Sequence, residues 1–423
     1  VVLPVLYALF DKKTKPLKPA NHGLKTLGII GMLFFLPLAT QAQYTPVSLK
    51  QALDITLQKN NKLKASNNQV MLTNQLVKTA VDPGKTDVYY SFDQNNIAPN
   101  NRALHVFGIS QTVKIPSYYG IQRATLRTRE QLARSVSEQT ELRLQKEVTH
   151  AYQSILFWRQ MIQNYEYLDS IYNRFSSAAM RKLQSGESNS LEALTAQSKQ
   201  QEIRIQLNQS RMNEERAILQ LNKWIQSDSL YTAQPEELQP LLIREMDTVA
   251  NPALNYLLLN SFLAEQTVKL NNQALLPDVK FGFFQGTNNG TGTTRYLGVQ
   301  AGLAIPLFFG ADKARISAAK TEQLVRQEEY ADYRVRLQAD YQSLLSDAEA
   351  YSEGIRYYRE FGEKLAAEII YNAAKSYETG EIDFLQFTQL MERATTIQTT
   401  YLHNLYFYNI DRKSTRLNSV TWP

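Results

Sequence analysis

Ile115-Pro116-Ser117-Tyr118-Tyr119-Gly120 ends a strand-like run, and a related hexapeptide, Ile305-Pro306-Leu307-Phe308-Phe309-Gly310, ends another one later in the chain. Each copy also opens a long stretch with a helical pattern. Proline fixes φ and lacks a ladder donor, so Pro116 and Pro306 suit the last position of a strand. Gly120 and Gly310 are predicted to let the backbone turn before the helix begins. Because this strand-to-helix corner occurs twice, the sequence predicts two copies of one structural unit.

The composition excludes several classes of site. The 423 residues include no cysteine, which excludes a disulfide framework and thiolate metal ligands, and the four histidines are scattered. The formal net charge is +6, but no dense basic run with interleaved aromatic residues occurs, so no nucleic-acid interface is expected. No phosphate-binding loop, nucleophile elbow or His-x-x-x-His pair is found. We therefore expect no enzyme, no cofactor and no metal site.

Two apolar segments precede the predicted repeats. Residues 1–13 are an apolar run with a basic flank, which is typical of the end of a membrane helix. Residues 24–43 contain a short apolar core and end in a small-x-Ala pattern, which predicts a signal peptide cleaved after Ala42. The alternative is an uncut transmembrane segment that links residues 1–13 to the rest. Both interpretations predict that the following residues are exported.

The remaining chain is predicted to contain two repeats, residues 47–226 and 251–410, joined by an irregular segment, 227–250. In the first repeat a helix from Ser48 to about Val81 precedes two strands, 88–96 and 104–115, and a long helical hairpin that reverses at Gly186. The second repeat follows the same order, with strands near 279–287 and 295–305. Residues 411–423 resemble a translated sequencing adapter and are predicted to be a non-native tail.

The last long helical stretch shows how it packs. Its larger residues recur at alternating spacings of four and three, which predicts the seam of a left-handed coiled coil. Small residues within the seam, Ala348 and Gly362, would allow close helix approach. The predicted seam residues are Leu337, Tyr341, Leu344, Ala348, Tyr351, Ile355, Tyr358, Gly362, Leu365 and Ile369.

The predicted strands have the length that crosses a bilayer at a tilt, about nine to eleven residues. Four strands cannot close a barrel alone, and open edges are not tolerated in lipid. Three protomers would supply twelve strands, and the polar helices would extend into water. The predicted fold is therefore mainly α with a small β part. In a homotrimer it forms a 12-stranded transmembrane β-barrel on a long α-helical coiled-coil barrel.

These features resemble the TolC-like outer-membrane efflux proteins over residues 47–409. That family is duplicated, with a strand pair in each half and a repeated Ile-Pro-x-Phe-x-Gly corner. It also has a glycine motif at each helix-hairpin tip, matched here by residues 183–188 and 377–382. Asn251-Pro252 matches a further family position, whereas the first copy has Asn60-Asn61 where the family usually keeps Asn-Pro.

The resemblance implies a passive exit duct in the outer membrane of a Gram-negative type envelope, with its helices in the periplasm. A periplasmic adaptor (membrane fusion) protein would dock on the hairpin tips; a plain helix-hairpin turn is the alternative. The implied docking residues are Gly186, Glu187, Ser188, Gly380, Glu381 and Ile382. Some members carry acidic rings past the second tip, where this chain offers Asp383 followed by Gln386 and Gln389 as candidates for the periplasmic aperture.

Residues 1–13 resemble the end of the last transmembrane helix of resistance-nodulation-division (RND) permeases of the heavy-metal type. This implies an inner-membrane RND permease, fused upstream, as partner and heavy-metal cations as substrate. A periplasmic coiled-coil structural or adaptor protein without a channel is the alternative function. Such a protein needs no apolar strand face and would be soluble without detergent.

Overall fold

The structure is a computed structural model. It describes residues 44–94, 102–186, 189–241, 251–288 and 295–417, and for 411–417 the backbone alone. The chain divides into two compact units, residues 1–43 and 44–423, and all the described residues belong to the second. The predictions for residues 1–13, 24–43 and 418–423, and for most of the inter-repeat segment, lie outside the described residues.

The predicted order of elements is found in both halves of the described chain. The first half contains β1 (Thr45–Val47), α1 (Leu49–Lys59), α2 (Asn61–Val77), β2 (Asp87–Asp93), β3 (Leu104–Val113), α3 (Pro116–Gln184) and α4 (Ser190–Ile225). After β4 (Tyr231–Ala233), the second half contains α5 (Pro252–Gln273), β5 (Asp278–Thr287), β6 (Arg295–Ala304), α6 (Gly310–Tyr357), α7 (Glu363–Glu378) and α8 (Phe384–Leu417). Within the described ranges, none of the helices has a stretch both long and apolar enough to cross a membrane.

The predicted helix over residues 48–81 is divided at Asn60, which corrects the sequence interpretation. Asn60 has an extended ψ of 121°, and its side-chain oxygen accepts hydrogen bonds from the backbone N–H groups two and three residues later. Its amide group donates to the carbonyl oxygen of Trp224 at 2.8 Å. Asn251 caps α5 in the same way with a ψ of 116°. The asparagine cap is therefore common to both repeats, and in the first repeat it begins the helix although Asn61 stands where the second has Pro252.

The four longer strands form one antiparallel sheet in the order β2–β3–β5–β6, and in the described residues β2 and β6 each pair on one side only. The pairing of β3 with β5 joins the two halves. Most side chains on one face are apolar and exposed, although Gln111 and Gln285 also lie on it. The exposed apolar residues of this face are Val88, Tyr90, Phe92, Phe107, Ile109, Phe281, Phe283, Leu297, Val299 and Leu303. An apolar face with two open edges is what the sequence prediction required of a membrane-spanning sheet.

The described part of the inter-repeat segment is held by a buried asparagine. Asn409 on α8 donates hydrogen bonds to Gln153 Oε1 at 2.9 Å and to the carbonyl oxygen of Gln239 at 2.8 Å. It also accepts one from the N–H of Leu241 at 2.9 Å. Nearby, β4 pairs in parallel with β1, which the sequence interpretation missed. Both halves of the chain are thus tied together midway along the helices.

The predicted coiled-coil seam is correct up to Gly362 and then shifts by one residue. Tyr358–Gly362 form a single π-helical turn between α6 and α7. A π-turn inserts one residue into a helix, so every later side chain rotates away from its predicted position. Leu365 is accordingly exposed and Ile369 only half-buried. The residues that continue the buried stripe are Ala366, Ile370, Ala373 and Tyr377.

The strand-to-helix corners lie where predicted, but neither their prolines nor their glycines act as predicted. The strands end at Val113 and Ala304, before the prolines. Pro116 is the first residue of α3, so Gly120 lies inside the helix, while Gly310 is the first residue of α6 and Pro306 precedes it in irregular backbone. Neither glycine has a positive φ. Proline suits the first helical position because its missing N–H would have no partner there. Helix α3 therefore begins at Pro116 and needs no flexible residue there.

Candidate functional site

Each of the two helical hairpins reverses at a glycine in the left-handed region. Gly186 follows α3 with a φ of 80°, and Gly380 follows α7 with a φ of 76°. Glycine is favoured there because any side chain would strain the backbone. The N–H of each glycine donates to the carbonyl oxygen three residues earlier, at 3.1 and 3.2 Å. The two predicted reversals are therefore confirmed, and their described geometry is nearly the same.

The second tip is closed by its own backbone and by one side chain. The N–H groups of Glu381 and Ile382 both donate to the carbonyl oxygen of Ser376, at 2.8 and 3.3 Å. Ser376 Oγ also donates to Glu381 Oε2 at 2.9 Å. The Glu381 carboxylate is therefore folded back onto the tip. In the first tip, Glu187 and Ser188 correspond to Glu381 and Ile382, and they lie outside the described residues.

The candidate aperture residues begin α8. Asp383 Oδ1 accepts a hydrogen bond from the N–H of Gln386 at 2.8 Å, and the N–H of Asp383 donates to Gln386 Oε1 at 3.2 Å. This reciprocal pair caps the helix, so both side chains have a local structural role. Gln389 lies one turn further and is exposed. In the part of the chain that the structure describes, no group of three or more His, Asp or Glu residues could hold a metal ion.

A buried aromatic cluster joins the two hairpins close to their tips. The Tyr377 ring lies 5.2 Å from that of Phe175 and 5.3 Å from that of Phe387, between ring centroids. Tyr377 Oη donates to Glu192 Oε1 at 2.9 Å. Burial and then this hydrogen bond raise the pKa of the Tyr377 phenol, which keeps it protonated as a donor. Glu192 of the first hairpin is therefore bonded to the second hairpin.

Ion pairs surround this aromatic cluster. Arg174 pairs with Glu378 at 3.2 Å, and Lys199 pairs with both Glu202 and Glu392, the latter from the other hairpin. Burial lowers the pKa of Lys199, but its hydrogen bonds to the two glutamates outweigh burial and leave the pKa raised. The Arg174–Glu378 pair is more than half exposed on both sides and therefore contributes little free energy, less than the buried rings contribute between the hairpins.

Each tip is followed by an exposed leucine. Leu191 is 71% exposed and Leu385 is 59% exposed, and they occupy equivalent positions after Gly186 and Gly380. Leu194, one turn further on α4, is exposed as well. Single exposed leucines are ordinary on protein surfaces. Their repetition beside both tips is a feature that the sequence motifs alone did not indicate.

No protein-family profile and no curated protein sequence matches the chain. Among solved structures it is similar to the CmeC outer membrane channel of Campylobacter jejuni, with a TM-score of 0.73, 13% identity, and 96% of this chain and 94% of that chain covered. The VceC outer membrane protein of Vibrio cholerae matches with a TM-score of 0.71, 12% identity and coverages of 88% and 95%.

A third similar structure is CusC, reported for conformational changes that accompany folding and transmembrane channel formation. It matches with a TM-score of 0.73, 14% identity and coverages of 90% and 94%. The chain therefore has the fold of outer-membrane channel proteins. The resemblance to the TolC-like proteins is confirmed at the level of the fold.

Proposed function

We propose that the protein is the outer-membrane exit duct of a tripartite efflux pump and conducts substrate passively from the periplasm to the exterior. The observation that carries this proposal is the four-stranded sheet, which has one exposed apolar face and two open edges. Such a sheet is stable in lipid only when its edges are closed by further strands. The fold shared with outer-membrane channels supports the same function.

Closure by three copies follows from the strand directions. In the order β2–β3–β5–β6 every neighbouring pair is antiparallel, so β2 and β6 run in opposite directions. The β6 edge of one copy can therefore pair with the β2 edge of the next and continue the antiparallel pattern. Two copies would give an eight-stranded barrel, whose interior is filled by side chains. Three copies are the smallest number that leaves a duct.

The hairpin tips are the proposed docking surface for a periplasmic adaptor protein, which would connect the duct to an inner-membrane RND permease. The reversals at Gly186 and Gly380 leave backbone close to the surface, and Leu191 and Leu385 offer matching apolar contacts. We propose heavy-metal cations as the substrate on the resemblance of residues 1–13 alone. Comparison of metal tolerance between cells with and without the protein tests that assignment.

The double substitution Leu191→Glu/Leu385→Glu is expected to weaken binding of a purified adaptor from the same organism at least tenfold. A carboxylate placed in an apolar contact loses its hydration without gaining a partner. Binding can be measured on the immobilised, detergent-solubilised protein. Gln201→Glu/Thr400→Glu adds the same two charges at exposed positions further along α4 and α8 and should leave binding unchanged. Equal binding by both double variants would contradict docking at the tips.

Conductance across a planar lipid bilayer tests the channel itself. We expect the purified protein to require detergent, to migrate as an assembly of three chains, and to produce discrete conductance steps. A protein that is soluble without detergent and gives no conductance steps would instead be the periplasmic coiled-coil protein considered from the sequence.

A further inference from the structure

One row of residues crosses the whole sheet and alternates aromatic rings with glycines. The strand register pairs Tyr89 with Gly108, Gly108 with Phe284, and Phe284 with Gly298. Because side chains alternate along a strand, this row lies on the face opposite the exposed apolar face. The same aromatic–glycine pair is thus present once in each half of the chain, on neighbouring strand pairs.

In both pairs the ring lies directly over the glycine opposite it. A Cβ atom at Gly108 would lie 2.7 Å from Cε1 of Tyr89, and closer still to Cζ and Oη. A Cβ atom at Gly298 would lie 2.6 Å from Cε1 and Cε2 of Phe284, and closer to Cζ. Real side chains do not approach so closely, and the outer end of a ring is the part that moves most easily. Any larger residue at either glycine would therefore lift the ring off the sheet.

The rest of this face, between the row and the helices, has small and polar side chains. The next two rows contain Ser110, Gly282 and Gln300, then Thr112, Lys280 and Gly302. A Cβ at Gly282 would meet its neighbours at ordinary distances, and one at Gly302 would have nothing within 4 Å. On the outer side of the row Gly286 pairs with Tyr296, but the nearest atoms to a Cβ at Gly286 belong to Leu104. Among the described glycines of this face, the ring-over-glycine arrangement is therefore specific to the row of Tyr89 and Phe284, which we call the aromatic belt.

We propose that Gly108 and Gly298 hold the rings of Tyr89 and Phe284 flat against the inner wall of the barrel, so that the aromatic belt sets the size of the largest solute that can pass. The inference rests on the proposed function, which places this face on the lumen. In three copies the belt would contain six rings at one level. A substitution that lifts one ring does so in all three copies, so the passage would be narrowed at three points on the same level.

Thiol labelling reads this passage directly, because the chain has no cysteine of its own. Gly302→Cys places a single reporter in open space between the belt and the helices. Reagents added outside intact cells reach it only by passing the belt. We would compare a small sulfonated maleimide with a polyethylene-glycol maleimide near the width of the duct. Tyr296→Cys places the reporter on the outer side of the belt, where a reagent added outside the cell arrives without passing the belt.

Adding Gly298→Val to the Gly302→Cys variant is expected to slow labelling by the large reagent at least tenfold and to leave labelling by the small reagent unchanged. Gly282→Val is the matched control, since it adds the same side chain to the same face with no ring above it. Adding Phe284→Ala to the Gly298→Val variant should restore labelling, because no ring remains to be lifted. Tyr296→Cys should label equally in every background.

Equal labelling of the Gly298→Val and Gly282→Val variants would overturn the belt while leaving the channel intact. If even the small reagent failed to reach Gly302→Cys from outside, this face would not be a lumen and the proposed function would fail with it. Should Gly298→Val reduce the amount of protein in the membrane, Tyr89→Ala/Phe284→Ala tests the same idea in the other direction. That variant should label faster than the parent with the large reagent, and an unchanged rate would overturn the inference.

Discussion

Replacing Val299 by arginine is expected to abolish insertion of the protein into the outer membrane, whereas arginine at the adjacent Gln300 should leave insertion intact. Val299 lies midway along β6 and is 86% exposed on the apolar face, and Gln300 projects from the opposite face. An arginine on the lipid face near the middle of a bilayer costs about 2–4 kcal/mol. In the proposed trimer this cost is incurred three times.

Fractionation of cell membranes, with quantification of the protein in the outer-membrane fraction, measures the effect. Both substitutions add the same charge to the same strand, so a general effect of arginine on expression would appear in both. Equal insertion of the two variants would contradict the assignment of the apolar face to lipid. Loss of the Gln300→Arg variant alone would place lipid on the other face.

Phe387→Ala is expected to destabilise the packing of the two hairpins by about 3–5 kcal/mol, which is the usual cost of truncating a buried phenylalanine. Phe387 is 0% exposed and contacts the rings of Phe175, Tyr377 and Phe384. Its loss should speed hydrogen–deuterium exchange in the described residues on either side of both tips, because these rings link the first hairpin to the second. Exchange in the sheet should not change.

Leu385→Ala is the matched control, since it truncates an exposed side chain two positions away on the same helix. We expect its exchange rates to equal those of the parent protein. The two positions should also separate stability from docking: Phe387→Ala loosens the tips, whereas a charge at Leu385 weakens adaptor binding. Unchanged exchange near both tips in Phe387→Ala would contradict the role assigned to the aromatic cluster.

The features that could be predicted from the sequence are those with a local signal. Gly186 interrupts a long run without glycine or proline, and Gly380 lies in the matching tip motif of the second repeat. The alternating pattern before Pro116 and Pro306 marks strands within a few residues. Backbone conformation at such positions is determined by neighbouring residues. The duplicated order of elements in residues 47–409 is therefore predictable from local sequence patterns alone.

The features that were missed depend on partners far away in the chain. Asn60 ends a helix because it caps the next one and contacts Trp224, which no neighbouring residue indicates. Glu192 accepts a hydrogen bond from Tyr377 of the other repeat. The π-turn before Glu363 changes which residues of the seam are buried, although the heptad pattern in the sequence continues without interruption. Tertiary contacts account for the first two of these features.

Disulfide trapping between the sheet edges of neighbouring copies tests the closed trimer most directly. The chain has no cysteine, so variants can carry one cysteine in β2, at Val88 or Tyr90, and one in β6, at Leu297, Val299 or Leu303. Within one copy the two edges are about 14 Å apart across the intervening strands, too far for a disulfide. Any bond formed therefore joins two copies.

For at least one register of cysteines we expect mild oxidation to produce covalent species of one, two and three chains and nothing larger. A ladder that ends at three chains is the signature of a closed ring of three sheets. Absence of cross-linked species in every register, or a ladder that continues beyond three chains, would contradict closure of the sheet by three copies.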